Sequence, residues 1–175
     1  DGAHCELLPA DKVARVEALL DAQREGEALF FVGDGMNDAP VLSRADVGVA
    51  VVAERPYAEG VGDSADLALP AADLAMVQRL RDSSNRLVLV VLAGRPVDIT
   101  DLLPLADAVV VAWLPGTEGQ GVADVLFGRY PFTGKLPYTW PRSADQLPFD
   151  FSALPADGPD APLFPAGFGL EGAHH

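Results

Sequence analysis

Two apolar stretches of strand length decide the fold of this chain: ALFFV at residues 28–32, which the turn GDG at 33–35 follows, and VGVAVVA at residues 47–53. Both are almost continuously apolar, a pattern typical of strands that are buried on both faces of a parallel sheet. The first ends in a glycine-rich turn, where the backbone can bend sharply. Two more runs of this kind follow at residues 87–93 and 108–113. The sequence therefore predicts four parallel strands.

Segments with helical periodicity alternate with these strands. Pro9 and Asp11 are typical of a helix start, and apolar residues then recur on one broad face up to about residue 25. The predicted helices span residues 11–25, 37–45, 71–82, 99–105 and 119–127, and residues 4–7 could add a fifth strand.

This alternation indicates the α/β class: a doubly wound, mostly parallel sheet of four or five strands, Rossmann-like or flavodoxin-like. After Gly128 both periodicities fade and prolines recur up to Pro165, which predicts a loop-rich C-terminal tail. We expect residues 1–170 to form a single α/β domain.

Composition narrows the classes of partner. The 175 residues carry a net charge of −14, which disfavours nucleic acid and anionic membranes as partners. Cys5 is the single cysteine, so no disulfide can form within these residues. The longest apolar run, residues 87–93, is far shorter than a membrane span. We expect a soluble protein, expressed in a cytoplasm, with no signal peptide, no specific protein partner and self-association as an open alternative. Residues 171–175 are interpreted as a tag remnant.

Three motifs in the first part of the chain point to one known family. They are LPADK at residues 8–12, FVGDGMNDAP at residues 31–40 and ADVGVA at residues 45–50. Together they closely resemble the phosphorylation domain of heavy-metal P-type ATPases, which belongs to the haloacid dehalogenase-like superfamily. The resemblance covers residues 1 to about 50.

This resemblance implies a vestigial Mg²⁺ and phosphate site. Asp34 and Asp38 are paired carboxylates of the kind that hold a hard cation, and the family lysine that contacts the phosphoryl group matches Lys12. The alternative is that the two aspartates are turn and cap residues only. The family's nucleophilic aspartate lies in a DKTGT motif that this sequence does not contain, so no acyl-phosphate is expected. No cofactor is required under this interpretation, and Mg²⁺ binding would be weak.

A second family resemblance begins near residue 46 and extends to about residue 170. These motifs resemble the C-terminal α/β domain of family 3 glycoside hydrolases. The motifs are VVAERPYAEGVGD at residues 51–63, LAGRP at 92–96, AWLPGTEGQG at 112–121, ADVLFG at 123–128, TGKLPYTWP at 133–141 and GFGL at 167–170.

The second resemblance implies one vestigial catalytic group. Retaining glycosidases use two carboxyl groups about 5 Å apart. In this family the acid/base glutamate of plant-type exohydrolases matches Glu59, whereas the nucleophile lies on a separate (β/α)₈ barrel. A solvated loop carboxylate is the alternative for Glu59. We interpret Trp113 and Trp140 as packing residues, although aromatic rings can stack on sugars, and we interpret Asp63 and Arg95 as structural.

The two resemblances meet at residues 46–53, where an Ala-Asp-Val lead-in to a strand is common to both families. We therefore predict an engineered chimera with no complete active site and no selected activity. Two alternatives stay open: a residual Mg²⁺ or phosphate site, with weak phosphatase activity of the haloacid dehalogenase-like kind, and a carbohydrate-binding or β-glucosidase-derived module. Both loops that carry the carboxylates follow strands, so the carboxyl edge of the sheet is expected to gather Asp34, Asp38, Glu54 and Glu59.

Overall fold

The computed structural model describes residues 9–33, 45–57, 60 and 62–170. Within them the chain alternates between helices and strands, as its apolar pattern predicts. The elements are α1 (Pro9–Asp21), β1 (Phe30–Gly33), β2 (Val47–Ala53), α2 (Ala71–Ser83), β3 (Leu87–Leu92), β4 (Ala108–Val111) and α3 (Gly119–Leu126), with short 3₁₀ helices at Leu103–Leu105 and Ala144–Gln146.

The four strands form one sheet in the order β1-β2-β3-β4, so each lies beside its neighbour in the chain. β1 and β2 are parallel, with Phe30 opposite Val47 and Gly33 opposite Ala50. The predicted α/β class with a parallel four-stranded sheet is confirmed. Among the described strands the order does not reverse along the sheet.

The centre of the sheet is the most buried part of the fold. β2 and β3 bury more than half of their residues, including Val49, Val52, Leu89 and Val91, none of them more than 2% exposed. Burial of consecutive residues explains why these strands lack a polar alternation. The outer strands are more exposed, and Val32 in β1 is 56% exposed.

By compactness the described residues divide into two units. The first holds the residues up to Val52 together with Pro70–Val91 and Leu102–Val110. The second holds Ala53–Leu69, Leu92–Asp101 and the residues from Val111 onward. The single-domain organisation stays a prediction.

In the second unit the main anchor is Trp140, whose side chain is completely buried. Its Nε1–H donates to the carbonyl oxygen of Val97 over 2.7 Å, which satisfies the indole donor inside the core. Trp140 also forms an isolated antiparallel bridge with Phe164 in the tail. The predicted loop-rich tail is confirmed, and this tryptophan ties it to a buried core.

Two predicted helices differ from the structure. α1 begins at Pro9 and ends at Asp21, four residues before the predicted end. Between residues 99 and 105 only Leu103–Leu105 is helical, as a 3₁₀ turn. Thr100 donates its backbone N–H to Oδ1 of Asp98, a local turn that competes with helix formation. Pro104 then lacks the amide that a continuing helix requires.

Two other predictions fall largely or wholly outside the described residues: the strand at 4–7 and the helix at 37–45, of which only Ala45 is described. None of the helices within the described ranges is long and apolar enough to cross a membrane.

Candidate functional site

Parallel strands deliver the residues that follow them to one edge of a sheet, and ligands of open α/β sheets bind at this carboxyl edge. Glu54 follows β2 directly, and its backbone N–H donates to the carbonyl oxygen of Leu92 over 3.0 Å. Gly94 and Arg95 follow β3, and Trp113 follows β4. All five residues belong to the second unit.

Glu54 and Arg95 form an ion pair. Arg95 Nε donates to Glu54 Oε1 over 2.9 Å, and the side chains of Glu54 and Arg95 are only 15% and 24% exposed, respectively. The pair is therefore largely shielded from solvent. The hydrogen bond that Arg95 donates to Glu54 raises the pKa of Arg95, and the charge of Asp63 adds to this effect. Arg95 is therefore cationic at every physiological pH.

Tyr57 completes this cluster, which we call the Glu54 cluster (Glu54, Tyr57 and Arg95). Its hydroxyl donates to Glu54 Oε2 over 3.1 Å. The guanidinium carbon of Arg95 lies 4.4 Å from the centroid of the Tyr57 ring, a cation–π contact. Burial raises the pKa of Tyr57, and the negative charge of Glu54 raises it further. The phenol therefore stays protonated and can donate.

Gly94 lies beneath the Tyr57 hydroxyl. A Cβ at residue 94 would be 2.5 Å from Tyr57 Oη and 3.2 Å from Leu114 Cδ1. The backbone of Gly94 does not adopt the left-handed conformation that requires glycine, so space and not conformation excludes a side chain here. The close approach links the turn after β3 to the Glu54 cluster.

Trp113 has a backbone φ of 53°, which is rare for a bulky residue and costs on the order of 1–3 kcal/mol. Its ring centroid lies 5.9 Å from that of Trp140, and it meets Tyr138 edge-on at 6.4 Å. Trp140 is buried, which agrees with its prediction as a packing residue, whereas Trp113 is only half-buried and Tyr138 is 62% exposed. Strained, partly exposed aromatic residues cluster at functional sites.

Only some of the predicted site residues lie within the part of the chain that the structure describes. Asp34, Asp38 and Glu59 lie outside the described residues, so their assigned roles stay predictions. Lys12 is in α1 and is partly exposed. Over residues 9–33, 45–57, 60 and 62–170 there is no group of three or more His, Cys, Asp or Glu side chains that could hold a metal ion.

The predicted gathering of four carboxylates stays a prediction, because Asp34, Asp38 and Glu59 lie outside the described residues. The structure adds that Glu54 is paired with a cation, Arg95. Local sequence patterns do not indicate this pair, since the two residues are 41 positions apart. Strand order gives the one indication: Glu54 directly follows β2, Arg95 lies three residues after β3, and the two residues carry opposite charges.

A different kind of carboxylate precedes a strand in the first unit. Asp46 lies immediately before β2, and its Oδ2 accepts the backbone N–H of Leu29 over 2.8 Å and Nε2 of Gln23 over 2.9 Å. The hydrogen bond from Leu29, and then that from Gln23, lowers the pKa of Asp46. This aspartate therefore connects the start of β2 to the residues between α1 and β1.

Asp107 has the same arrangement before β4. Its Oδ2 accepts the backbone N–H of Leu87 over 2.7 Å and Nη1 of Arg81 over 2.6 Å. The hydrogen bond from Leu87, and then that from Arg81, lowers the pKa of Asp107. In return, the backbone N–H of Asp107 donates to the carbonyl oxygen of Leu87 over 2.8 Å.

The sequence model of the glycosyl hydrolase family 3 C-terminal domain matches residues 33–172. The chain belongs to this family of α/β domains. The match begins before the predicted boundary near residue 46 and includes two of the residues interpreted as a tag. It contains the whole Glu54 cluster.

Curated relatives fall into two groups. The periplasmic β-glucosidase of Salmonella typhimurium is 35% identical over 146 residues, which cover 73% of this chain and 19% of the β-glucosidase. The cadmium, zinc and cobalt-transporting ATPase of Bacillus subtilis is 50% identical over 74 residues, which cover 42% of this chain and 9% of the ATPase. The chain thus spans about a fifth or less of the length of these relatives.

Among solved structures, the chain is similar to the exo-1,3/1,4-β-glucanase of a Pseudoalteromonas species, with 40% identity and a TM-score of 0.58. This likeness covers 72% of the chain and 16% of the glucanase.

Proposed function

We propose that the larger part of this chain presents one wall of a saccharide site and does not hydrolyse a glycoside by itself. The observation that carries the proposal is the Glu54 cluster at the carboxyl ends of β2 and β3, within the family match. A carboxylate and a guanidinium side by side supply the acceptors and donors that orient sugar hydroxyl groups. The terminal NH₂ groups of Arg95 carry four donors beyond the Nε–H that binds Glu54.

The neighbouring aromatic residues support the same proposal. Trp113 follows the next strand along the chain and is held in a strained conformation with part of its ring accessible. Tyr138, in edge contact with it, is mostly exposed. Rigid aromatic surfaces beside a few convergent polar groups are typical of small-molecule sites.

The absence of hydrolysis by the chain alone follows from its chemistry under the family resemblance. Glycosidase catalysis needs an acid/base and a nucleophile or base on opposite sides of the scissile bond. The resemblance assigns only Glu59 to this domain type and the nucleophile to a separate barrel. We therefore propose Glu59 as an acid/base that acts only when a second domain supplies its partner.

The test has a binding arm and a turnover arm. Titration with methyl β-glucoside, followed by NMR, is expected to shift the Arg95 Nε–H and the Trp113 indole signal, with a dissociation constant on the order of 1–10 mM. Arg95→Lys, which lacks the guanidinium, should abolish the shift of the Trp113 indole signal. Arg129→Lys is the matched control, because Arg129 also pairs with a carboxylate, Asp124, over 2.8 Å.

In the turnover arm, an aryl β-glucoside is incubated with the chain and with Glu59→Gln, and both are expected to match the buffer blank. Turnover that disappears in Glu59→Gln would show a complete active site within the chain. If the titration shifts neither the Arg95 Nε–H signal nor the Trp113 indole signal, the proposed saccharide site is contradicted.

We further propose that the chain is a chimera, made by design, of a heavy-metal ATPase fragment and the glycosidase-type domain. The ATPase match supports this proposal, since 50% identity over 42% of the chain is higher than the identity to the β-glucosidase. Because 73% and 42% of one chain exceed the whole, the two matched stretches overlap by at least 15% of the chain. Recovery of a natural gene with this fusion would contradict the proposal.

The ATPase-like fragment motivates a second candidate function, weak Mg²⁺ or phosphate binding at Asp34, Asp38 and Lys12. Mg²⁺ titration watched by NMR is expected to shift amides near Asp34, and Asp34→Asn should remove the response. An unchanged spectrum in the unmodified chain would exclude Mg²⁺ binding, and inorganic phosphate can be tested in the same way with Lys12→Gln.

A further inference from the structure

Tyr57 is held on three sides, by Glu54 three residues before it and by Gly94 and Arg95, which are distant in the sequence. Its hydroxyl donates to Glu54, the guanidinium of Arg95 lies against its ring, and Gly94 leaves the space that the hydroxyl occupies. Leu114, 70% exposed, lies next to the same space. A side chain that is 41% exposed seldom has so many specific contacts unless its position matters.

These contacts fix the point at which the chain leaves β2. Glu54 is the first residue after the strand, and Tyr57 is three residues further on. Arg95 holds both of them, and Asp63, which lies further along the same loop, acts on Arg95 by its charge. One guanidinium therefore interacts with residues from the beginning and the end of the segment that contains Glu59.

We propose that Tyr57 is a positioning residue for the loop that follows β2, of which residues 54–57, 60, 62 and 63 are described, and that residue 94 is glycine because any side chain there would displace the Tyr57 ring. This inference rests on the proposed function only for the role of Glu59. Tyr57 acts through the chain two residues ahead of Glu59 and takes no part in bond making.

The geometry makes Gly94→Ala a selective perturbation. The added methyl group would collide with Tyr57 Oη at 2.5 Å, whereas the next contacts, Leu114 Cδ1 at 3.2 Å and Tyr57 Cζ at 3.3 Å, can be relieved by small shifts. Removal of the single oxygen in Tyr57→Phe should therefore let the ring return. Gly134→Ala is the matched control, since a Cβ at Gly134 meets nothing within 4 Å.

The test is NMR of the full chain without saccharide. The first readout is the ring-current shift of the Arg95 side-chain protons, which lie under the Tyr57 ring. The second is the exchange rate of the Asp63 amide, which donates to the carbonyl oxygen of Gly60 over 3.1 Å. Gly94→Ala should abolish the Arg95 shift and speed Asp63 exchange about 3- to 10-fold, the effect of losing roughly one hydrogen bond. Gly134→Ala should leave both readouts unchanged.

The double variant Gly94→Ala/Tyr57→Phe should restore the Arg95 shift and bring Asp63 exchange back to within about twofold of Tyr57→Phe alone, well inside the effect of one hydrogen bond. Spectrophotometric titration adds a signature: the raised pKa of Tyr57 should fall towards 10.0 in Gly94→Ala.

Unchanged Arg95 and Asp63 signals in Gly94→Ala, or a double variant that restores neither, would overturn the proposal. If Gly94→Ala does not fold, Tyr57→Leu makes the same test with Gly94 intact, and unaltered Asp63 exchange in that variant would overturn it. No saccharide takes part in these measurements, so their failure leaves the proposed function to its own titration.

Discussion

Carboxylates on the two ends of the strands are held in different ways. Asp46 and Asp107 precede strands, and each accepts a backbone N–H of a neighbouring segment. Glu54 follows a strand and is held by two side chains, those of Arg95 and Tyr57. The first two carboxylates are therefore bound to the main chain of the sheet, whereas the third is bound to groups that can turn.

The two kinds of hydrogen-bond partner have different consequences for stability and for ligand binding. A backbone amide at the start of a strand cannot move without disrupting the sheet, so its carboxylate is a structural requirement. A side-chain partner can rotate towards a ligand and exchange one acceptor for another. Under the proposed function, the carboxyl edge is accordingly the end at which a saccharide would compete for Glu54 and Arg95.

The largest effect is expected from removal of a carboxylate that holds the main chain. Asp46→Ala leaves the Leu29 amide without its acceptor and should lower the free energy of unfolding by about 1–3 kcal/mol. Asp46→Asn keeps an acceptor oxygen and should cost less. Urea unfolding followed by far-UV circular dichroism measures both, with the exposed Asp145→Ala as a control expected within about 0.5 kcal/mol of the unmodified chain. If Asp46→Ala and the control lower the free energy of unfolding equally, Asp46 has no structural role.

A smaller effect on stability is expected when the pH is lowered. The pKa values of Asp46 and Asp107 are lowered from 3.8 in the folded protein, mainly by the amides of Leu29 and Leu87. A lowered folded-state pKa contributes stability that is present above pH 3.8 and is lost as the pH falls towards the folded-state pKa. Unfolding measured from about pH 6 to about pH 2 should show this loss, and Asp46→Asn/Asp107→Asn should flatten it. An unaltered pH profile in the double variant would contradict the assignment.

The smallest effect on stability is expected at Glu54. Glu54→Gln keeps an acceptor for Arg95 and replaces only the charge, so the free energy of unfolding should fall by no more than about 1 kcal/mol. The Arg95 Nε–H signal should nevertheless shift, and the affinity for methyl β-glucoside should change. A destabilisation as large as that of Asp46→Ala would mean that the two ends of the strands do not differ as described.

The sheet could be predicted from the sequence because burial alone specifies it. β2 matches its predicted bounds, and β3 and β4 begin where expected, since each is an uninterrupted apolar run. The predicted helix at 99–105 was wrong because its apolar residues were compatible with a helix, while the local turn at Asp98 and the missing amide of Pro104 were decisive. Local hydrogen bonds of this kind leave little trace in hydrophobic periodicity.

The candidate site could be predicted only in part. The carboxyl edge follows from strand order, and Glu54 was placed there correctly. Its pairing with Arg95 depends on two strands that are adjacent in space, so the spacing in the sequence does not show it. Trp113, whose φ is 53°, likewise contacts Trp140 and Tyr138 in the tertiary structure, and the spacing in the sequence does not show these contacts.

The position of the aromatic residues determines what optical spectroscopy can report. The chain has two tryptophans and three tyrosines, and all five belong to the second unit: Trp113, Trp140, Tyr57, Tyr130 and Tyr138. The fluorescence and near-ultraviolet absorbance of tryptophan and tyrosine therefore monitor that unit alone. α1, α2 and most of the sheet contribute instead to the far-ultraviolet dichroism. Melting curves from the two methods will coincide only if the two units unfold together, so a single pair of scans measures the cooperativity of the chain.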